Sequence, residues 1–293
     1  MVGTEAGPLA RGEEFGPLVD TAWLAAHLGE ARLRVVDVRW TLGKPGAGRD
    51  AWQASRIPGA SFLDIDEDLS ERGDPRRGRH PLPSPATLVA TLARAGIGAG
   101  DRVVAYDAAA GAHAARLWWL LGWLGVPAAV LDGGWARWIA EARPIDATPP
   151  QPIAAATTPI APDPIAGRVV TKAEVGEIVA GRRGALLLDA RAPERFRGEV
   201  EPVDPKAGHI PGARNAPTAD NLAADGTFRP PAELRVHFER LGVVPGREVV
   251  CYCGSGVTAC HDLLALQRAG LGGARLYAGS WSEWSNDDLP IEK

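Results

Sequence analysis

Short apolar runs recur along the chain, separated by stretches in which apolar and polar positions follow a helical period. Leu33-Arg34-Val35-Val36-Asp37, Val103-Val104-Ala105-Tyr106, Ala185-Leu186-Leu187-Leu188-Asp189 and Val249-Val250-Cys251-Tyr252 are nearly continuous in aliphatic residues. Such runs predict strands buried on both faces of a parallel sheet. Residues 21–28, 87–95, 171–180 and 232–241 read as the intervening helices. Strands alternating with helices give an α/β fold, a parallel sheet flanked by helices on both faces. The apolar region at 117–126 is too short to span a bilayer and is expected to be a buried helix, with Trp118, Trp119 and Trp123 in an interior core.

The pattern occurs twice. Asp37-Val38-Arg39 is answered by Asp189-Ala190-Arg191, and Ile57-Pro58-Gly59-Ala60 by Ile210-Pro211-Gly212-Ala213. Asp107, Trp135 and Trp138 are answered by Cys253, Trp281 and Trp284 at one constant interval. Matched landmarks in the same order indicate an internal duplication. Residues 147–167 hold Pro149, Pro150, Pro152, Pro159, Pro162 and Pro164, which resist helix and sheet and suit an extended linker. The expected layout is a first domain at 1–146, a linker at 147–167 and a second domain at 168–293.

The stretch with the most chemistry follows the last long strand: Cys253-Gly254-Ser255-Gly256-Val257-Thr258-Ala259-Cys260. A lone cysteine after a buried strand is ordinarily a small inert hydrophobe. Here Gly254 and Gly256 let the backbone curl around the thiol, and a helix is expected from Val257 onward. Backbone N–H groups converging there, with the positive end of a helix dipole, would stabilise a thiolate and the anion formed from it. Cys253 is therefore read as a nucleophile, while Cys251 and Cys260 are assigned to packing. The duplicated position carries Asp107, which cannot hold a sulfane sulfur and is read as a structural acid paired with a nearby basic group.

These residues resemble the rhodanese superfamily of sulfurtransferases, and the loop Cys-Gly-Ser-Gly-Val-Thr resembles its 3-mercaptopyruvate sulfurtransferase branch. The resemblance covers essentially the whole chain and implies tandem rhodanese-like domains, the first inactive and the second catalytic. Ala114-Ala115-Arg116-Leu117-Trp118-Trp119 is similar to a helix of the family's inactive domain. The resemblance also implies a proton relay, with Ser255 as its serine, His80 of His80-Pro81-Leu82-Pro83 as its histidine, and Asp66 of Asp64-Ile65-Asp66 as its acid; Asp64 stands as the alternate. Polar residues between Asp66 and His80, among them Arg72 and Arg79, read as a surface loop. Arg195 matches the branch's first substrate arginine, with Arg197 as an assistant, and Gly254, Gly256, Val257 and Thr258 are expected to line the bound sulfur. The second substrate arginine is missing: the segment reads Glu201-Pro202-Val203-Asp204-Pro205-Lys206, leaving Lys206 as a possible point charge. His209 is expected to hold a turn.

The implied reaction moves sulfur from 3-mercaptopyruvate through a Cys253 persulfide to cyanide or a thiol acceptor such as thioredoxin, without metal or organic cofactor. Thiosulfate sulfurtransferases usually place Arg and Lys after the cysteine, where this chain has Gly254 and Ser255; the uncharged loop thus leans away from thiosulfate, a compact dianion. Thiosulfate:cyanide sulfur transfer and a non-catalytic persulfide carrier are the rival readings. A Cys-dependent phosphatase would need an arginine where Ala259 stands.

Composition narrows the setting. A chain of 293 residues with a formal charge of −4 and no basic patch is not expected to bind nucleic acid, and it shows no membrane-spanning run. Three cysteines form no disulfide framework. The N-terminal stretch with Glu5, Glu13 and Glu14 lacks the basic and apolar regions of a signal peptide, so the expected location is the cytoplasm.

Overall fold

The computed structural model of the chain describes residues 15–71 and 73–293; Glu5, Glu13, Glu14 and Arg72 lie outside them. In the first half, β1 (Leu18–Val19), α1 (Thr21–His27), β2 (Leu33–Asp37), α2 (Ala47–Ala54), β3 (Ser61–Phe62), α3 (Pro85–Arg94), β4 (Arg102–Tyr106), α4 (Ala114–Trp123), β5 (Ala128–Leu131) and α5 (Gly134–Ala140) follow one another. The strands form a parallel sheet in the order β1-β5-β4-β2-β3. The second half repeats this with α6 (Lys172–Val179), β6 (Ala185–Asp189), α7 (Pro193–Phe196), β7 (Arg214–Asn215), α8 (Pro231–Arg240), β8 (Glu248–Tyr252), α9 (Ala259–Arg268), β9 (Arg275–Leu276) and α10 (Ser280–Trp284). Its parallel sheet runs β7-β6-β8-β9, and Val169 bridges in parallel to Leu276 at the edge.

Local chemistry sets the element ends. The Asp20 side chain caps α1 by accepting the Trp23 N–H at 2.7 Å, and Thr171 and Glu174 cap α6 reciprocally. Along the central strands successive side chains face opposite ways. Val104 and Tyr106 enter a core with Leu24, Ile57 and Trp138, while Val103 and Ala105 enter a larger core that extends across both halves. That shared core is built on α4 and α9, buried throughout residues 114–121 and 259–266. Helices apolar on nearly every side belong between layers, and these two lie between the two sheets. Trp118 and Trp119 are buried there, and Trp123 stacks on Trp119 with ring centroids 5.7 Å apart.

The duplication extends to atomic contacts. Arg39 forks onto Asp37 and lies over the Trp135 ring at 4.5 Å; Arg191 forks onto Asp189 and lies over Trp281 at 4.7 Å. The Tyr106 hydroxyl accepts the Ile57 N–H, and the Tyr252 hydroxyl accepts that of Ile210, both at 3.2 Å. Residues 147–167 contain neither helix nor strand and run over the first half, where the Ala156 N–H donates to the Ala93 carbonyl at 2.9 Å and the Ile165 N–H to that of Trp123 at 2.8 Å. His209 stacks on Phe196 and donates from Nδ1 to its carbonyl at 2.8 Å, holding a turn.

Candidate active site

Strand β8 ends at Tyr252 and delivers Cys253 into a loop at its carboxyl end, where open parallel sheets place ligands. The helix expected from Val257 starts at Ala259, because residues 257 and 258 are used to close the loop. Cys253 is 1% exposed, and its Sγ accepts the Gly256 N–H at 3.1 Å. Gly256 has φ +77°, and a Cβ there would stand 2.3 Å from the Ala278 carbonyl oxygen. Only glycine lets the backbone turn its N–H toward the sulfur. From behind, the Cys253 N–H donates to the Ser280 hydroxyl at 3.1 Å, while the Cys253 and Gly254 carbonyls accept from the N–H groups of Trp281 and Ser282 at 2.9 and 2.8 Å. Cys251 and Cys260 are buried beneath this loop. Burial pushes both thiols up, that of Cys260 to about 12, as suits packing residues.

The first half closes the site. His80 Nδ1 lies 2.6 Å from Ser255 Oγ and its Nε2 lies 2.8 Å from Asp66 Oδ1. A carboxylate accepts, so Nε2 carries the hydrogen, and Nδ1 is left to accept from the Ser255 hydroxyl. Asp66 is held in turn by the Trp40 indole N–H at 2.8 Å. Asp64, its sequence alternate, instead accepts the backbone N–H groups of Asp66 and Glu67 at 2.8 and 3.2 Å and shapes the turn. His80 is buried, and desolvation lowers its pKa to about 4 against the opposing pull of Asp66. A histidine in a polar insert is ordinarily solvated; this one is carried inward because its backbone is anchored on both sides. The Arg79 N–H donates to Ser282 at 3.0 Å, and the His80 carbonyl accepts from Arg116 at 3.1 Å.

Arg116 has no role in the sequence reading beyond its place in the helix Ala114–Trp123. Fully buried on α4, it also donates to the Gly256 carbonyl at 3.1 Å and the Leu69 carbonyl at 3.3 Å, tying the thiol loop to the His80 segment. The signal was present: an arginine inside an apolar helical run requires buried partners.

The cationic residues sort differently from their sequence reading. Arg195 lines the cleft, with Nη2 bonded to Glu201 at 2.6 Å and Asp204 at 3.2 Å. Arg197 does not reach it: its side chain is half exposed and pairs with Glu199. Lys206 does not line the cleft either and donates instead to the Asp287 carbonyl at 2.7 Å. Arg79, read as part of a surface loop, lines the cleft and pairs with Asp204 from the other half. The loop is uncharged but the site is not.

Trp40, Val257 and Thr258 complete a cleft of about 260 Å³ around Cys253, Gly254 and Ser255. Among the described residues no cluster of His, Cys, Asp or Glu could hold a metal ion, and no helix is long and apolar enough to cross a membrane.

The duplicated loop departs from its sequence reading. Asp107 pairs with no basic side chain among the described residues. Its Oδ1 accepts the N–H groups of Ala109 and Gly111 at 2.8 and 2.9 Å, and its Oδ2 those of His113 and Ala114 at 2.7 and 2.8 Å. The carboxylate fills the cradle of its own loop.

The model of the rhodanese-like domain matches the chain at residues 20–141 and again at 171–287. A probable 3-mercaptopyruvate sulfurtransferase of Pseudomonas aeruginosa is 46% identical over 92% of this chain and 95% of its own length. A putative thiosulfate sulfurtransferase, SseB, of Mycobacterium tuberculosis is 43% identical over 86% and 88%. Among solved structures, the 3-mercaptopyruvate sulfurtransferase from Leishmania major superposes with a TM-score of 0.82 at 31% identity, covering 94% of this chain and 76% of that one.

Proposed function

The chain belongs to the rhodanese family, and from that premise we propose that it is a sulfurtransferase taking sulfur from 3-mercaptopyruvate through a Cys253 persulfide. The observation that carries this reading is the contact chain Ser255–His80–Asp66 beside a buried cysteine thiol that accepts a backbone N–H. Cys253 as thiolate attacks the donor sulfur, an Sγ–S bond forms, and the C–S bond breaks with its electron pair leaving on pyruvate enolate. The enolate takes up a proton to become pyruvate. Ser255, hydrogen-bonded to neutral His80, is placed to exchange that proton, and Asp66 keeps His80 in the accepting tautomer. The persulfide anion rests against the Gly256 N–H. Cyanide then takes the outer sulfur as thiocyanate, or a thiol takes it as a persulfide, and the Cys253 thiolate returns. Thioredoxin or a small thiol fits the second half-reaction. Three free cysteines suit the reducing cytoplasm as its setting.

A thiosulfate donor is the second reading. It is favoured by Arg79 and Arg195 at the cleft and by the name of the M. tuberculosis relative. Steady-state thiocyanate formation with each donor, beside Cys253→Ser, separates the two. A large kcat/KM preference for mercaptopyruvate, lost in the variant, is expected. A preference for thiosulfate would overturn the donor assignment, and no turnover with either would leave only a persulfide carrier.

A further inference from the structure

The cleft lacks the second substrate arginine that the resemblance implies after Glu201; Val203 is solvent-exposed, and Lys206 is engaged with the backbone elsewhere. Two guanidinium groups nevertheless stand over the thiol loop. A Cβ built on Gly254 would meet Arg79 Nη2 at 2.9 Å and Arg195 Nη1 at 3.6 Å, so both groups reach the space directly above this residue. Neither of those nitrogens has a hydrogen-bond partner among the described residues. Their opposite ends are tethered to one carboxylate, that of Asp204, whose side chain is only 3% exposed and which receives Arg79 Nη1 on Oδ1 and Arg195 Nη2 on Oδ2. The Nε of Arg79 is buried without a partner. Asp204 thus holds two arginines from opposite halves side by side, their free N–H groups turned toward the residue next to the nucleophile.

We propose that Arg79, brought from the first half, is the second anion-binding arginine of this cleft and clamps the donor's carboxylate together with Arg195. The identification of the anion rests on the donor reading above; the presence of an anion clamp does not. The arrangement also accounts for Gly254. A side chain there would displace the Arg79 guanidinium from its place above the loop, so the charge that other members of the superfamily carry on the loop arrives here from across the interface. Two converging forks suit a planar carboxylate.

The test compares alkylation of Cys253 by iodoacetate and by uncharged iodoacetamide in the whole protein. Iodoacetamide reports thiol reactivity, and the ratio of the two rates reports anion attraction. In Arg79→Met the iodoacetate-to-iodoacetamide ratio is expected to fall roughly tenfold, with KM for mercaptopyruvate rising about ten- to a hundredfold, as for loss of a charge-assisted hydrogen bond. Arg79→Lys should recover part of both. Asp204→Asn, which keeps both arginines and removes the competing carboxylate, should not lower the ratio. An unchanged ratio in Arg79→Met overturns the proposal even if KM rises, and so does an equal fall in Asp204→Asn, which would assign the effect to misplacement of the loop. If the ratio falls in Arg79→Met but wild type does not turn over mercaptopyruvate, the donor reading fails and the clamp stands.

Discussion

The loop after β4 and the loop after β8 are two copies of one device with different occupants. In the first, the Asp107 carboxylate accepts four backbone N–H groups from its own loop and leaves no room for a guest. In the second, the Cys253 sulfur accepts one, from Gly256, and a cleft opens above it. Both are clamped alike from behind: the Asp107 carbonyl accepts the Trp135 N–H at 2.7 Å, the Cys253 carbonyl that of Trp281 at 2.9 Å. The difference teaches that the loop is an anion cradle before it is an active site. The first half fills the cradle with its own carboxylate; the second leaves room above its cysteine, where the proposed reaction would set a sulfur anion.

The comparison is broken most severely by Cys253→Asp, which writes the first loop into the second. Sulfur transfer is expected to vanish, with the persulfide absent by mass spectrometry, while the far-UV spectrum and cooperative unfolding persist. Any residual persulfide would mean that sulfur is carried elsewhere. Next come Ser255→Ala and His80→Asn, expected to lower kcat by roughly 10²–10⁴-fold, the range for general acid–base groups, with persulfide still formed slowly. The pH dependence sharpens this step. The folded pKa of His80 is depressed to about 4, so the unfolded chain takes up its proton near the ordinary value while the folded one waits. The stability it contributes is present above about 6.5 and is lost as pH falls toward 4. His261, fully buried between the halves and depressed likewise to about 4, adds to the same loss. Urea midpoints measured from pH 7 to 4.5 should fall in wild type and fall less in His80→Asn.

A smaller effect, on folding and not on chemistry, is expected from Asp107→Ala. It strands the N–H groups that the carboxylate satisfies and should cost about 3 kcal/mol of unfolding free energy in urea titration. A neutral result would show that water fills the vacated cradle at no cost. The smallest effect concerns Gly134 and Ser280, matched residues with φ +55° in both halves. Ser280 accepts the strain because its hydroxyl accepts the Cys253 N–H and donates to the Tyr277 carbonyl. Ser280→Ala should cost about 1 kcal/mol, whereas Ser280→Gly should fall near zero, strain relief offsetting the lost bond.

Much of the fold was legible because its signals are local. Aliphatic runs such as Leu186-Leu187-Leu188 can be buried on both sides only in a covered parallel sheet, and the paired Asp-x-Arg and Ile-Pro-Gly-Ala segments announce the repeat. The site was legible only in part. Ser255, His80 and Asp66 could be named, and they lie in contact. Arg197, expected to assist Arg195, follows a single turn of α7 that leaves it on the surface. Arg79 reads from sequence as part of a polar surface loop, because its partner, Asp204, lies in the other half.

From the chain alone come the duplication, the strand that carries Cys253, the glycines that curl its loop, and the aspartate, Asp107, at the matching position of the first half. Each of these depends on side-chain volume, backbone freedom and periodicity among near neighbours. Tertiary structure alone decided that Asp66 and not Asp64 meets His80, that Arg116 ties the two loops together, that Arg79 stands over Gly254, and that Asp107 is satisfied by backbone. The physical reason is common to all four. A charged or polar group takes its role from what comes within hydrogen-bond distance of it, and those partners are segments far away in sequence or main-chain N–H groups, which every residue but proline possesses and no sequence pattern marks.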